Sequence, residues 1–556
     1  MKIAAGEDRL TPKLFTALRS YSPKLFTCDL IAGVTVGLVA LPLAMAFAIA
    51  SGVPPQAGIY CAIVAGFLIS ALGGSMTQIG GPTGAFVVVV AGIVQKHGMD
   101  GLFMCTLMAG VFLVLLGITG LGSAIKFIPR PVVIGFTNGI AVLIASTQMK
   151  DFFGLRVESV PGEFLGRMRV IGENFHTFSA TTLLFSTSAL VVILLMLKFV
   201  KRVPGTIVVL FAGTVIAWLF HVPLENIQDR FGDIPSGFPQ LHVPTIRFDL
   251  ILPLLSSAFT VTMLGAIESL LSAVVADRMS GDRHNPNAEL IGQGFANIAS
   301  PLFGGLPATG AIARTATNIR SGAKTPVAGM IHALTLLAIL LFAAPLAKHI
   351  PMCILAATLL VVAYNMGEWR EVPQILKLTR ADISIWFITF LLTVLADLTV
   401  AVEAGMILAV LLFIRKVTAT TSVARVTSEY IAEGMKHSLQ TNALPEDVVV
   451  YRIHGPFLFG ATDKLSIIHE DLPTLPKIVM LRLRNMTAID ATGLHALEAL
   501  ADDLKKSGRI LMLCGVRQQP LKLMQQAEFY RHIGAENILP DLRAGIERAQ
   551  AVLAQK

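Results

Sequence analysis

The chemically most specific residues of this chain lie in a glycine- and proline-rich segment between two apolar stretches. The segment runs from Ser300 to Asn318 and carries hydroxyl side chains and one full positive charge, Arg314. A lipid bilayer tolerates such irregular backbone only where it lines a cavity or is buried in protein. A broken helix whose N-terminus points into a mid-membrane cavity, with an arginine beside it, predicts a binding site for a small anion.

A comparable segment in the first half, Gly80–Phe86, reads Gly-Gly-Pro-Thr-Gly-Ala-Phe. Pro82 suits the first position of a helix, where the missing N–H costs nothing. The counterpart in the second half is the stretch from Gly310 to Arg314. Two half-helices that face each other would direct two positive dipole ends and several unpaired N–H groups at one point. The alternative interpretation is that the glycines only allow close helix packing.

Glu268 is the one acid deep in a long apolar stretch of this sequence. A carboxylate in a membrane is costly unless it is paired, protonated or solvated, and burial favours its protonated form. The place of Glu268 in the apolar stretch therefore predicts a coupling site for a proton or a cation. The alternative is a static ion pair, with Arg314 as the candidate partner. For the nearby Asn287, Glu289, Gln293 and Asn297 we expect a structural hydrogen-bonding role.

The elements that must position these residues are membrane helices. Of the 556 residues 54% are hydrophobic and only 14% are charged, whereas soluble domains carry about 25% charged residues. We predict about fourteen apolar segments. They span approximately residues 29–50, 57–72, 82–95, 101–121, 131–150, 180–199, 204–221, 250–276, 287–300, 308–320, 326–345, 351–366, 381–396 and 399–415. The second, third, ninth and tenth are too short for a span of ~20 residues, and short interrupted segments in matching halves indicate a transport site.

The two halves also resemble each other. Lys126-Phe-Ile-Pro129 recurs as Lys348-His-Ile-Pro351, and Gly73-Gly74 recurs as Gly304-Gly305. Because seven segments is an odd number, the second half starts from the opposite side of the membrane, which predicts a seven-plus-seven inverted repeat. Lys and Arg of the loops fall on one side, so the positive-inside rule places both termini in the cytoplasm.

Charge divides the chain into two parts. Residues 437–556 hold 14 Lys and Arg and 13 Asp and Glu, against 30 and 23 in all the rest. This tail alternates predicted strands, at 448–453, 477–483 and 510–513, with helices, which indicates a small cytoplasmic α/β domain. Thr492 precedes one of those helices, so capping is its expected role, and its phosphorylation as a switch is the alternative. No nucleophile–base set, phosphate-binding loop or metal-ligand spacing appears, so the sequence predicts no enzyme and no cofactor.

At these residues the chain resembles a bacterial member of the sulfate permease (SulP) family. The similarity rests on Asp29-Leu-Ile-Ala-Gly-Val-Thr-Val-Gly37, Leu41-Pro-Leu-Ala-Met-Ala46, Ser51–Tyr60 and Asn287–Gly294. The tail resembles a STAS domain, whose Asp-x-Ser/Thr-Gly motif matches Asp490-Ala-Thr-Gly493. Met263–Leu271 and Asn318–Gly322 look most like the dicarboxylate branch.

The resemblance implies a transport domain in which a core moves against a gate, elevator-like transport and a homodimer. It implies that the anion lies between the broken third and tenth helices, at Gly81, Pro82, Thr83, Phe86, Ala313 and Arg314. It also links a carboxylate at the position of Glu268 to coupling. The implied organisation is a cytoplasmic N-terminal segment (1–28), the transport domain (29–416), a linker (417–440) and the STAS domain (441–556).

The sequence thus predicts a secondary active transporter of small anions in the cytoplasmic membrane. Sulfate, C4-dicarboxylates and bicarbonate all fit, and a proton is the expected coupling ion. The alternatives are an uncoupled anion channel, a sodium-coupled bicarbonate carrier, or a membrane-anchored regulator whose tail binds a protein partner. A net charge of +8 fits basic cytoplasmic loops rather than nucleic-acid binding.

Overall fold

The structure is a computed structural model of the chain. It describes residues 10–121, 129–157, 160–200, 205–233, 235–241, 247–396, 398–426 and 445–555. The chain divides into two compact units, Met1–Ile407 and Leu408–Lys556. Lys126 of the first repeat motif lies outside the described residues.

The first unit is built of helices. Their bounds are α1 Lys13–Leu18, α2 Pro23–Ala50, α3 Pro55–Leu72, α4 Val87–Ile118, α5 Arg130–Phe153, α6 Phe164–Glu173, α7 Ala180–Phe199, α8 Gly205–Leu219, α9 Ile227–Phe231, α10 Ile251–Ser280, α11 Pro286–Leu302, α12 Ile312–Arg320, α13 Val327–Ala347, α14 Met352–Met366, α15 Val372–Ile375, α16 Arg380–Leu395 and α17 Leu398–Thr420. Two short strands, β1 Gly80–Gly81 and β2 Thr309–Gly310, interrupt them. Helix α17 continues into the second unit.

Seven helices within the described ranges are long and apolar enough to cross a membrane. They comprise Pro23–Ala50, Pro55–Leu72, Gly84–Ile118, Arg130–Phe153, Ala180–Phe199, Phe248–Ser280 and Val327–Ala347. The prediction that the second segment is too short to span is therefore wrong, because its helix has 18 residues. The predicted third and fourth segments are joined in α4, which has non-helical backbone at Gly98 between them.

Most helices of the first unit pack in two groups. The first helix group is α2–α4 and α10–α13, in which α4 packs on α11 and α10, and α2 packs on α13 and α3. The second helix group is α5, α7, α14 and α16, in which α5 packs on both α14 and α16. The segments with broken backbone belong to the first group. The second helix group contacts the first at only a few positions, so the two groups leave room for a cavity between them.

The second unit contains a five-stranded sheet in the order β3-β4-β5-β6-β7. Its elements are β3 Ser422–Arg425, β4 Val448–Phe457, α18 Ser466–Asp471, β5 Ile478–Ile489, α19 Ala491–Lys506, β6 Ile510–Cys514, α20 Gln518–Gln526, α21 Tyr530–Ile533, β7 Ile538–Leu539 and α22 Leu542–Ala554. Only the β3–β4 pair is antiparallel. Alternate residues of β4 enter two separate hydrophobic cores, one completed by α19 and the other by α22.

The predicted fold class is confirmed, with a helical membrane domain followed by a small α/β domain. Of the predicted linker, residues 417–426 are described and contain the end of α17 and strand β3. The remainder, 427–440, lies outside the described residues. The first membrane helix begins at Pro23, six residues before the apolar run, because Ser22 caps it by accepting a hydrogen bond from the Leu25 amide at 3.4 Å.

Candidate functional site

The two breaks in the first helix group lie side by side. Strand β1 pairs antiparallel with β2, with Gly80 opposite Gly310 and Gly81 opposite Thr309. A β-carbon at Gly310 would overlap the side-chain nitrogen of Gln78 and lie 3.2 Å from the backbone of Ser269, so the neighbouring residues pack closely against this position.

Each break is followed at once by the N-terminus of a helix. After β1, Thr83 precedes a 3₁₀ turn, Gly84–Phe86, which leads into α4. After β2, Ala311 is the N-cap of α12. Two positive helix ends thus start beside the same strand pair. Pro82, for which we predict a place at a helix N-terminus, lies directly before the cap residue Thr83.

Arg314 lies in the first turn of α12 and is 3% exposed. Its Nη2 donates a hydrogen bond to the carbonyl of Pro82. Its Nη1 has no hydrogen-bond partner. Among the described residues no carboxylate forms an ion pair with Arg314. A buried guanidinium with one unused N–H edge is a strong donor for an anion.

Glu268 lies on helix α10, and its side chain lines the same cavity as Arg314. Its Oε2 accepts a hydrogen bond from the Thr83 hydroxyl at 2.9 Å. The ion pair with Arg314 that we considered is not formed, although both side chains line one cavity. Thr83 therefore connects the start of the third membrane segment to the predicted coupling carboxylate.

The cavity has a volume of about 360 Å³ and lies between the two helix groups. The first group contributes Thr83, Glu268, Ala313 and Arg314 to its wall. The second group contributes mostly apolar side chains of α5, such as Phe136. A cavity of this size with few polar groups suits a small molecule, and Arg314 is the cation among its described lining residues.

Four of the predicted binding residues do not line the cavity but lie behind its wall. Pro82 holds Arg314 through its carbonyl, and Gly81 packs against Nη1 of Arg314. Phe86 is buried, with its ring near Gly265 of α10. Gly310 forms the strand pair. These residues shape the site, whereas Thr83, Ala313 and Arg314 are the predicted ones that face it.

Sequence reasoning missed two hydroxyl residues that form hydrogen bonds to the broken segments, Ser269 of α10 and Thr315 of α12. Ser269 accepts a hydrogen bond from the amide of Gly310 at 3.1 Å and bonds the hydroxyl of Thr309 at 2.7 Å. Thr315 of α12 accepts from the amide of Ile79 at 3.0 Å. Their signal is weak, because single hydroxyls are common in membrane helices. The one signal in the sequence is that Ser269 directly follows Glu268 and Thr315 directly follows Arg314.

A buried polar network supports the breaks from the far side. Glu289 accepts hydrogen bonds from the Gly74 amide at 2.9 Å, Gln78 at 3.0 Å and Gln293 at 2.9 Å. Asn297 both accepts from the Ala308 amide and donates to the Ala308 carbonyl, each at 2.8 Å. The structural role expected for Glu289, Gln293 and Asn297 is thus observed.

Asn287 does not join that network, because its side-chain oxygen is buried without a hydrogen-bond partner.

One carboxylate on the second helix group also lines the cavity, and the sequence did not indicate it. Glu368 follows the end of α14, and its backbone φ is +41°. Partial burial raises the pKa of Glu368, as does the like charge of Glu371, while Arg130 opposes both. Arg130 itself pairs with Glu371 at 2.7 Å.

In the second unit, Asp490 and not Thr492 caps helix α19. The Asp490 carboxylate accepts from the amides of Gly493 at 2.8 Å and Phe459 at 3.0 Å. Thr492 lies exposed in the first turn. The expected capping role of Thr492 is wrong, because the acid two residues earlier occupies that position. Its phosphorylation stays a prediction.

The chain matches the "Sulfate permease family" over residues 26–389 and the "STAS domain" over residues 441–544. A Bacillus subtilis (strain 168) protein named "Putative sulfate transporter YvdB" is 41% identical over 521 residues, which cover 93% of this chain and 97% of that protein.

Two solved structures are also similar. The transmembrane domain of a cyanobacterium bicarbonate transporter, BicA, is 33% identical with a TM-score of 0.63, covering 69% of this chain and 98% of that one. Murine Solute Carrier 26 family member A9, an anion transporter in the inward-facing state, has a TM-score of 0.87 at 18% identity, covering 99% and 96%. The second likeness shows the fold alone. These relatives are transporters and not enzymes.

Proposed function

Because the chain belongs to the sulfate permease family, we propose that it is a secondary active transporter of a small anion. Two observations carry the proposal: Nη1 of buried Arg314 has no hydrogen-bond partner, and Arg314 is among the residues that line the cavity. Location in the cytoplasmic membrane, with both termini in the cytoplasm, is part of this proposal. The homodimer and the elevator-like movement of one helix group against the other belong to the same proposal.

The anion is a small oxyanion, with sulfate and bicarbonate as the candidates. The relatives named above are called sulfate and bicarbonate transporters, and they do not support the dicarboxylate branch. A physical argument agrees. Arg314 is the one cation among the described residues that line the cavity, so it serves one oxyanion group by a charge-assisted hydrogen bond. The second carboxylate of a C4-dicarboxylate would face Glu268 or an apolar wall.

Glu268 couples the anion to a proton. An ionised Glu268 lines the same cavity as the anion and repels it, whereas a protonated Glu268 does not. Binding of the anion and binding of the proton therefore favour each other, and this linkage is reciprocal. Sodium at the Glu268 carboxylate would relieve the same repulsion, which makes a sodium-coupled bicarbonate carrier the second candidate.

The first experiment replaces Arg314. Purified protein in proteoliposomes is tested for uptake of labelled sulfate and labelled bicarbonate. Arg314→Ala should lower kcat/KM at least about 30-fold, the effect of removing one partner of a buried charged hydrogen bond. Arg320→Ala is the matched control, because Arg320 is an exposed arginine of the same helix. Equal uptake by the two variants would remove Arg314 from the site.

A second experiment tests the coupling. Uptake against an anion gradient is driven by an imposed pH difference, with and without sodium. We expect concentrative uptake with the pH difference alone, and its loss in Glu268→Gln while anion exchange persists. Dependence on sodium instead would favour the sodium-coupled carrier. Strictly downhill flux under every condition would indicate an uncoupled channel.

A further inference from the structure

The wall formed by the second helix group presents one carboxylate to the cavity, that of Glu368. The residue follows the end of α14 and is exposed to solvent while it lines the same cavity as Arg314 and Glu268. A group with both properties lies at the opening of the cavity. An anion that moves between Arg314 and solvent through this opening passes Glu368.

The backbone holds Glu368 in a conformation that a residue with a side chain rarely adopts. Its φ of +41° lies in the left-handed region, which is uncommon for residues other than glycine, asparagine and aspartate. Strained backbone of this kind is costly and persists where the surrounding structure fixes it. Such positions are frequent at functional sites.

The neighbouring residues supply that constraint. Asn138 of α5 donates a hydrogen bond to the carbonyl of Gly367, and Trp386 of α16 donates to Asn138 at 2.9 Å. The ring of Trp369 packs directly against Gly367. The turn that carries Glu368 is therefore fixed by two helices of its own group, and its side chain is held at the opening.

The charge of Glu368 is also uncompensated. Glu371, one turn further on, is neutralised by Arg130 at 2.7 Å. Within the described part of the chain Glu368 has neither an ion pair nor a side-chain hydrogen bond. Glu368 faces Glu268 and Arg314 across the cavity, and Arg130 and Glu371 lie beside it. A carboxylate kept free at the opening of an anion cavity repels the substrate.

We propose that Glu368 is a specificity-determining residue, a charge filter that weakens anion binding through this opening and weakens it more for dianions than for monoanions. The inference rests on the proposed anion transport. Repulsion scales with substrate charge, so a dianion meets twice the repulsion of a monoanion. Weak binding at the opening also speeds release of the anion to the solvent on that side.

The test compares Glu368→Gln with Glu371→Gln. Both remove one negative charge from the same turn region, but Glu371 is ion-paired and does not line the cavity. Half-saturation concentrations for sulfate and bicarbonate are measured at low ionic strength from each side of oriented proteoliposomes. For Glu368→Gln we expect a decrease of roughly fourfold for the monoanion and roughly tenfold or more for the dianion, the scale of one charge at about 10 Å in a medium between water and protein.

The expected change appears on one side of the membrane only and shrinks at high salt, because salt screens exposed charges. Glu371→Gln should give a clearly smaller shift, because Glu371 does not line the cavity, and the charge-preserving Glu368→Asp should retain the discrimination between the two anions. Equal decreases for both anions, or the same shift in Glu371→Gln, would overturn the filter. If Glu368→Gln does not fold, Glu368→Asn replaces it, since asparagine tolerates positive φ.

The outcome separates this inference from the proposed function. If the protein without substitutions transports neither sulfate nor bicarbonate, the transport proposal is refuted and the filter with it. If that protein transports the anions but Glu368→Gln has the same half-saturation concentrations, only the filter is refuted.

Discussion

Replacement of Gly81 by alanine should damage the anion site in a way that can be separated from its effect on stability. Gly81 has a φ of +146°, and a β-carbon built there would lie 2.7 Å from Nη1 of Arg314. Gly98 is the matched control, because it has a φ of +68° with nothing within 4 Å of a built β-carbon. Both glycines adopt backbone that L-residues avoid, but only one abuts the cation.

The expected magnitudes follow from this difference. Alanine at either position carries backbone strain of about 1–3 kcal/mol, so both variants should unfold at lower temperature. At Gly81 the new methyl group must also reach ordinary contact, which begins at 3.4 Å. The guanidinium of Arg314 therefore shifts by several tenths of an ångström. Misplacement of a binding group on that scale lowers kcat/KM by about 10- to 100-fold.

Thermal unfolding in detergent measures the first effect, and initial rates of sulfate uptake in proteoliposomes measure the second. Gly81→Ala should lose both stability and transport, and Gly98→Ala should lose only stability. Suppose that Gly81→Ala and Gly98→Ala both lose little uptake, in the same proportion to the drop in their unfolding temperatures. Then Nη1 of Arg314 is not the atom that holds the anion. That result would refute the reasoning from the contact.

Two further predictions concern stability. Asn297→Ala removes the paired hydrogen bonds to the buried Ala308 backbone. The free energy of unfolding should fall by about 2–5 kcal/mol, since both backbone groups lose their partner. Thermal unfolding of the transport domain checks this prediction, and an unchanged midpoint would contradict it. Asp490→Ala removes the helix cap that accepts hydrogen bonds from the amides of Gly493 and Phe459. The free energy of unfolding of the second unit should fall by about 1–2 kcal/mol, which denaturant unfolding followed by a probe in that unit checks. Thr492→Ala leaves the cap in place and should have little effect.

The helices could be predicted because their signal is long and strong. The predicted segment 180–199 and the observed α7 have the same bounds, since an uninterrupted apolar run ends in charged residues. The sequence also identified the family and its STAS domain, which the family matches confirm. Helix starts were harder. Helix α2 begins with a polar turn capped by Ser22, and hydropathy cannot detect a turn that lies outside the apolar run.

The site was predictable in its components but not in its connections. Glycines and prolines marked both breaks, and the isolated charges marked Arg314 and Glu268. The strand pair between the breaks was missed, because two-residue strands have no periodicity to detect. The possible ion pair was left open, because a separation of 46 residues fixes no distance. Glu368 was missed because its importance comes from a turn whose shape depends on Asn138 and Trp386, which are distant in sequence.

In the proposed mechanism, the separation of Arg314 from Glu268 allows one site both to bind an anion and to couple it to a proton. A buried cation without a partner is costly, and an ion pair with the nearby carboxylate would be the simplest way to reduce that cost. The protein instead directs Glu268 to the Thr83 hydroxyl and Arg314 to the Pro82 carbonyl. Both partners are neutral, so each charged side chain keeps its response to added charge. A static pair would bind neither an anion nor a proton, and a cavity built around it would have no reason to couple the two.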